Sequence, residues 1–184
     1  MITEKEIVAI FDFDDTLFYS PESNDENREI LRDKIGYTKS GWWGRPESLD
    51  LDFFDIPCNK NICKRQKDYK NSGAYTVMLT GRILKCANNV KKILATENLI
   101  FDDLQFTIGG STLSFKIGVL NKILVDSPNL KEIHFYDDRT EHIPEFRKWG
   151  DSCQNSTGVK FRLFHVIGHD GANTYELKYK QKLR

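Results

Sequence analysis

Residues 7 to 13, "IVAIFDF", form an almost unbroken apolar run. A run of that length predicts a strand covered on both faces, as in a parallel sheet. Residues 75 to 79 ("YTVML"), 133 to 136 ("IHFY") and 161 to 167 ("FRLFHVI") repeat the pattern. Between these runs the apolar spacing lengthens to a helical one. Residues 84 to 97 bring Leu84, Ala87, Val90, Lys91 and Leu94 near one face, and residues 116 to 125 gather Ile117, Leu120, Ile123 and Leu124. A further helix is expected at "EHIPEFRKW", residues 141 to 149. Strands alternating with helices predict an α/β fold with a mostly parallel sheet flanked by helices.

Residues 20 to 72 do not follow this alternation. They hold "SPESNDE", a helical stretch "ENREILRDKI" at 26 to 35, and "GWWGRPESLDLDFFDIP". The segment is long for a plain connection. It reads as an insertion or small cap at about 20 to 57, with a helix after Pro57 returning the chain to the sheet. The 184 residues are expected to form one domain carrying this insertion. There is no internal repeat and no low-complexity tract.

Composition narrows the setting. Hydrophobic residues make up 39% and charged residues 29%, which suits a chain with a real core. No apolar run reaches the ~20 residues of a membrane span. The first residues, "MITEKEIVAIFDFDD", carry charge inside the apolar stretch and lack a small-residue cleavage site, so no secretory signal is expected. Together these favour an intracellular protein, cytoplasmic or nuclear, with its cysteines reduced. The four cysteines, Cys58, Cys63, Cys86 and Cys153, lack paired zinc or redox spacing. Cys58 and Cys63 could form half of a metal site, but no second pair completes it.

Overall charge argues for no partner, because Lys plus Arg and Asp plus Glu are both 27. Local clusters remain. Glu47, Asp50, Asp52 and Asp55 are acidic; Lys60, Lys64, Arg65, Lys67, Lys70, Arg82, Lys85, Lys91 and Lys92 face only Asp68 in their stretch; the tail "KYKQKLR" is basic. Such runs are either solvated faces or surfaces for polyanions.

The chemistry lies where the strands stop. Side chains alternate along a strand, so Asp12 and Asp14 are expected on one side with Phe11 and Phe13 on the other. In parallel sheets, ligands bind beyond the carboxyl ends of the strands. Asp12 and Asp14 end the first strand, Thr80, Gly81 and Arg82 end the second, and Asp137 and Asp138 end the third. A single "DFDD" is as well explained by a turn or helix cap. Several carboxylates gathered together are costly without a cation. An oxygen-only site with room for water suits Mg²⁺.

Taken in order, these motifs resemble those of the haloacid dehalogenase (HAD) superfamily of phosphohydrolases. "DFDDT" matches the first through Asp12, Asp14 and Thr16, "LTGR" the second through Thr80, and "YDDR" the fourth through Asp137 and Asp138. Lys116 matches the third, with Lys122 and Lys131 as nearby alternatives. Within the superfamily, "LTGR" with "YDDR" is similar to the phosphatase domain of polynucleotide kinase–phosphatases. The "GWW" and "LDLDFFDIP" segments with "DDRTEH" resemble the Swiss Army knife RNA-repair phosphatases. The resemblance implies a Rossmann-like sheet. It also implies Mg²⁺ held by Asp12, Asp14 (through its carbonyl), Asp137 and Asp138, with the direct ligand of the last two left open. Asp12 would be the nucleophile and Asp14 the general acid and base, with Thr80 and Lys116 assisting. Thr16, Gly81, Arg82 and Arg139 would contact substrate, although Arg139 could equally form an internal salt bridge.

No kinase loop of the GxxxxGK[ST] form is present. A chain of this kind would therefore perform only the phosphatase step at RNA or DNA ends, with a separate kinase or ligase. Two other functions compete: a phosphatase for a nucleotide, small metabolite or phosphoprotein, and a non-catalytic scaffold. Several residues have two readings. Asp15 is a turn or cap residue or else a catalyst, His134 is a core residue, and His142 reaches the site rim or has a surface or capping role. Trp42 and Trp43 either pack the insertion onto the body or form a stacking platform for a base.

Overall fold

The computed structural model describes residues 4–38, 40–168 and 173–177, so the basic tail, read as a solvated face or a surface for polyanions, lies outside it. The four apolar runs become β1 (Ile7–Phe11), β2 (Tyr75–Ile83), β4 (Glu132–Asp137) and β5 (Lys160–Ile167). Two further strands join them, β3 (Asp103–Thr107) and β6 (Asn173–Leu177). The sheet runs β3-β2-β1-β4-β5-β6, parallel throughout except for the antiparallel β6. β3 has no apolar run because it lies at the sheet edge and is only half-buried along most of its length.

The helices are α1 (Asp25–Ile35), α2 (Lys60–Asn71), α3 (Ala87–Thr96), α4 (Thr112–Asp126) and α5 (Ile143–Thr157). Polar caps start three of them: the side chains of Asn24, Asn59 and Ser111 accept from backbone N–H groups in the first turns of α1, α2 and α4. Gly158 ends α5 with φ of 76°, a conformation that a Cβ disfavours.

The two faces of the sheet carry separate cores. On one face Ala9, Phe11, Met78 and Tyr136 meet Ile62 of α2 and Val90 and Ile93 of α3. Phe11, Tyr136 and Phe164 stack across neighbouring strands, with centroids 4.7 and 4.3 Å apart. On the other face Val8, Ile10, Val77 and Phe135 meet Leu120 and Ile123 of α4 and Phe146 of α5. The α3 stripe differs from its sequence expectation. A 3₁₀ turn over Leu84–Cys86 precedes the helix and rotates the face, leaving Leu84 and Lys91 exposed.

The 20–57 segment leaves and re-enters the body at one point. Phe18 pairs with Cys58, Tyr19 N–H donates to Pro57 O at 3.0 Å, and Asn59 N–H donates to Leu17 O at 2.8 Å. Leu31, Tyr37, Trp42, Leu49, Phe54 and Ile56 are buried in the same cluster as Phe11 and Met78. Among the described residues no helix is long and apolar enough to cross a membrane.

Candidate active site

Because β1, β2 and β4 are parallel neighbours, their carboxyl ends fall on one edge. Asp12 follows β1 directly, and its N–H donates to Tyr136 O at 2.9 Å, extending the pairing with β4 by one residue. The chain then turns. Leu17 and Phe18 N–H both donate to Phe13 O, and Asp15 has a φ of 53°. Asp12 and Asp14 therefore lie past the strand, and the turn rather than strand alternation brings them to one cavity. That cavity has a volume of about 300 Å³, and Asp12, Asp14, Asp15, Trp43, Gly81, Arg82, Thr112, Lys116, Asp138 and Arg139 line it.

Lys116 lies in α4 at the helical spacing of Val119, Leu120 and Ile123, on the buried face of the helix. The helix begins four residues before Lys116, earlier than the apolar pattern indicates. The lysine is fully buried, with Nζ 2.9 Å from Asp12 Oδ2 and 2.6 Å from Asp137 Oδ2. Burial opposes its charge, yet these two carboxylates hold the ammonium above the ordinary lysine range. Lys122 instead pairs with Asp126 and Lys131 with Glu6, so neither enters the site.

The second strand reaches the cavity through a bulge. Thr80 pairs with Phe106 and Ile83 with Thr107, leaving Gly81 and Arg82 as extra residues in the register. Bulges re-aim side chains. Thr80 Oγ1 accepts from Arg82 N–H at 3.0 Å; the threonine is fully buried and does not line the cavity. Arg82 is also buried. Its Nη2 lies 2.7 Å from Asp14 Oδ1, its Nε 3.0 Å from both oxygens of Asp14, and its Nη1 donates to Trp43 O and Ser48 Oγ. The guanidinium expected to contact substrate is thus paired with Asp14 while also lining the cavity. A Cβ on Gly81 would lie 2.9 Å from Thr112 Cγ2, so the tight approach here is between β2 and α4.

Asp137 and Asp138 occupy different surroundings. Asp137 is fully buried, with Oδ2 on Lys116 and Oδ1 accepting Arg139 N–H at 3.1 Å. Asp138 faces the cavity, and Thr16 Oγ1 donates to its Oδ1 at a long 3.4 Å. Arg139 binds Glu141 through Nε and Nη2 at 2.9 and 2.7 Å while its body borders the cavity. His142 is buried against Phe146 at the N-terminus of α5 and does not line the cavity. His134 is a core residue, bonded to Tyr69 Oη at 2.6 Å and Glu132 at 2.8 Å.

Acid is in excess. Burial, reinforced by the charges of Asp137 and Asp14 against the pull of Lys116, pushes Asp12 up to about 7. Burial and the charges of Asp12 and Asp137 push Asp138 up to about 9. Oxygens of Asp12, Asp137 and Asp138 lie within 4.8 Å of one another, an arrangement that could hold a metal ion. Asp12 Oδ1 is buried and has no hydrogen-bond partner among the described residues, as expected of an acceptor reserved for a cation. The donor set and the orphaned oxygen both fit Mg²⁺. The Cys58–Cys63 alternative gains no third ligand among the described residues, and Cys63 Sγ is directed at Leu17 O.

Residues 23–180 match the family described as HAD domain family 1 in Swiss Army Knife RNA repair proteins. The chain belongs to that family. The matched span of this HAD domain begins after Asp12 and Asp14, whose position comes from the fold. Two solved structures are similar to it. One is the structure of the Pnkp1/Rnl/Hen1 RNA repair complex, with TM-score 0.57 and 15% identity over 88% of this chain and 42% of the other. A second structure of the Pnkp1/Rnl/Hen1 complex has TM-score 0.53 and 13% identity over 90% and 50%. The HAD domain thus spans half or less of these two chains, and at such identities the likeness is one of fold.

Sequence patterns gave no sign of Ser48 and Thr112. Both are ordinary hydroxyl residues whose relevance comes only from the bulge beside them.

Proposed function

We propose that this HAD domain is a Mg²⁺-dependent phosphohydrolase that removes a terminal phosphate, a 3′-phosphate above all, from a nucleic acid. The observation that carries the reading is Asp12: a buried carboxylate held by Lys116, with one oxygen unpartnered, facing a cavity it shares with Asp14 and Asp138. Membership of a family found in RNA repair proteins supports a nucleic-acid end as substrate. An exposed tryptophan on the cavity wall supports it as well.

Asp12, the Asp14 carbonyl and Asp138 would hold Mg²⁺. Asp138 is the better direct ligand of the acidic pair, because both oxygens of Asp137 are already bonded within the protein. When bound, the ion would offset the repulsion between carboxylate and phosphate. Asp12 attacks phosphorus, forming an aspartyl-phosphate as the phosphorus–oxygen ester bond breaks. Asp14 gives its proton to the departing hydroxyl oxygen. In the second step Asp14 takes a proton from water, the water oxygen bonds to phosphorus, and the Asp12–phosphate bond breaks, releasing inorganic phosphate. Arg82 keeps Asp14 aimed at the cavity through both steps. Lys116 holds Asp12 and neutralises charge.

The test is phosphate release with Mg²⁺ from a 3′-phosphorylated oligonucleotide, a 5′-phosphorylated one, free nucleotides and an aryl phosphate, with Asp12→Asn as blank. Preference for the 3′-phosphorylated end is expected. Preference for the small phosphates would make the protein a metabolite phosphatase. A partner supplying kinase or ligase activity is part of this proposal, supported by membership of a family found in RNA repair proteins.

A further inference from the structure

Trp42 and Trp43 are sequence neighbours in opposite environments. Trp42 is 2% exposed and donates its Nε1–H to Pro21 O at 2.7 Å. Trp43 is 45% exposed and lines the catalytic cavity. An indole left half in water forgoes part of the stabilisation that full burial would give. This one is nevertheless held in place. The guanidinium of Arg82 sits over its ring at 4.7 Å, and its carbonyl accepts from Arg82 Nη1 at 3.1 Å.

The same guanidinium binds Asp14, the residue that meets the leaving oxygen. Trp43 is therefore tied to the side of the cavity where the leaving group departs, while Lys116 and Asp138 mark the side of the transferred phosphoryl. Resting on the end-phosphatase reading, we propose that Trp43 is the stacking platform for the nucleobase of the nucleotide that carries the scissile phosphate. Arg82 supports the indole from one side, and the exposed indole surface receives the base. A ring fixed before binding loses little freedom when the base arrives. Stacking accepts any base, because every base has a π-face, so the subsite selects nucleic acid over simple phosphate esters without choosing sequence.

The test compares an oligonucleotide ending in a normal 3′-phosphorylated nucleotide with one whose last residue is an abasic sugar 3′-phosphate. The wild type is expected to favour the base-bearing end by about tenfold in KM. Trp43→Ala should reduce that preference to within about twofold, and Trp43→Phe should restore most of it. Any disturbance passed through Arg82 affects both substrates and cancels in the ratio. A preference that survives Trp43→Ala overturns the proposal. A second readout is independent of turnover: in the Asp12→Asn protein, an aminopurine at the 3′ end should be quenched on binding, and Trp43→Ala should remove the quenching. Quenching without phosphate release from the wild type would sustain the subsite while refuting the phosphatase. Release from both substrates with no quenching would do the reverse.

Discussion

Arg82 Nη2 lies 2.7 Å from Asp14 Oδ1, and Arg82 Nε reaches both oxygens of the same carboxylate. The arginine of the second motif and the second aspartate of the first are thus one unit, buried on the arginine side and open to the cavity on the aspartate side. Arg82→Ala should lower kcat about 10²-fold, the scale of a misplaced general acid and base. Arg82→Lys should recover only part of this, because an ammonium cannot hold both oxygens in a fixed plane. Steady-state kinetics on the wild type and both variants check the claim. A rise in KM with kcat intact would instead make Arg82 a substrate ligand.

Lys116 is fully buried between Asp12 and Asp137. Lys116→Met leaves two buried carboxylates without their cation, and breaking such a pair costs about 3–5 kcal/mol. Chemical denaturation should show a loss of that order, partly recovered by Mg²⁺. An unchanged midpoint would mean the carboxylates do not depend on the lysine.

The two acids at the carboxyl end of β4 should separate by phenotype. Asp138→Asn is expected to raise the Mg²⁺ concentration needed for half-maximal activity by about tenfold or more while leaving stability near wild type. Asp137→Asn should mainly destabilise, because both its oxygens serve internal bonds. Mg²⁺ titrations and thermal melts on both proteins read the difference. The opposite pattern would exchange their roles.

Mg²⁺ should also raise the melting temperature of the wild type, since it binds the folded arrangement of Asp12 and Asp138 and not the unfolded chain. The Asp12→Asn/Asp138→Asn double variant should lose this response. A shift that persists in the double variant would place the ion elsewhere.

Within the tryptophan pair, Trp42→Ala should cost about 3–5 kcal/mol, the scale of a large ring removed from a core. Trp43→Ala should cost far less. Denaturation curves of the two variants test this, and equal losses would mean that Trp43 is also a packing residue.

Much of this molecule could be read from its residues. The buried strands announced themselves because double-sided burial leaves mostly apolar positions along the runs of β1, β2, β4 and β5. The carboxylates at their ends were legible because charge after a buried run is costly without a purpose. The edge strand β3 was not, since "DLQFT" is half-buried and mixed in composition. Nor was the commitment of Arg82: a sequence shows an arginine after Thr80-Gly81 but not the two-residue bulge that turns it onto Asp14. From their residue type and position alone, Trp42 and Trp43 share one pair of alternatives. The fold divides them, burying Trp42 and leaving Trp43 exposed on the cavity wall.

The covalent step at Asp12 is the centre of the account. An aryl phosphate has a leaving group that departs without a proton, so Asp14→Asn should allow the first step and stall the second. The Asp14→Asn protein, incubated with aryl phosphate and Mg²⁺ and quenched in acid, should carry one phosphoryl group on the peptide containing Asp12, as read by mass spectrometry. If the wild type turns over the same substrate and no adduct forms on Asp12, the aspartyl-phosphate mechanism is wrong.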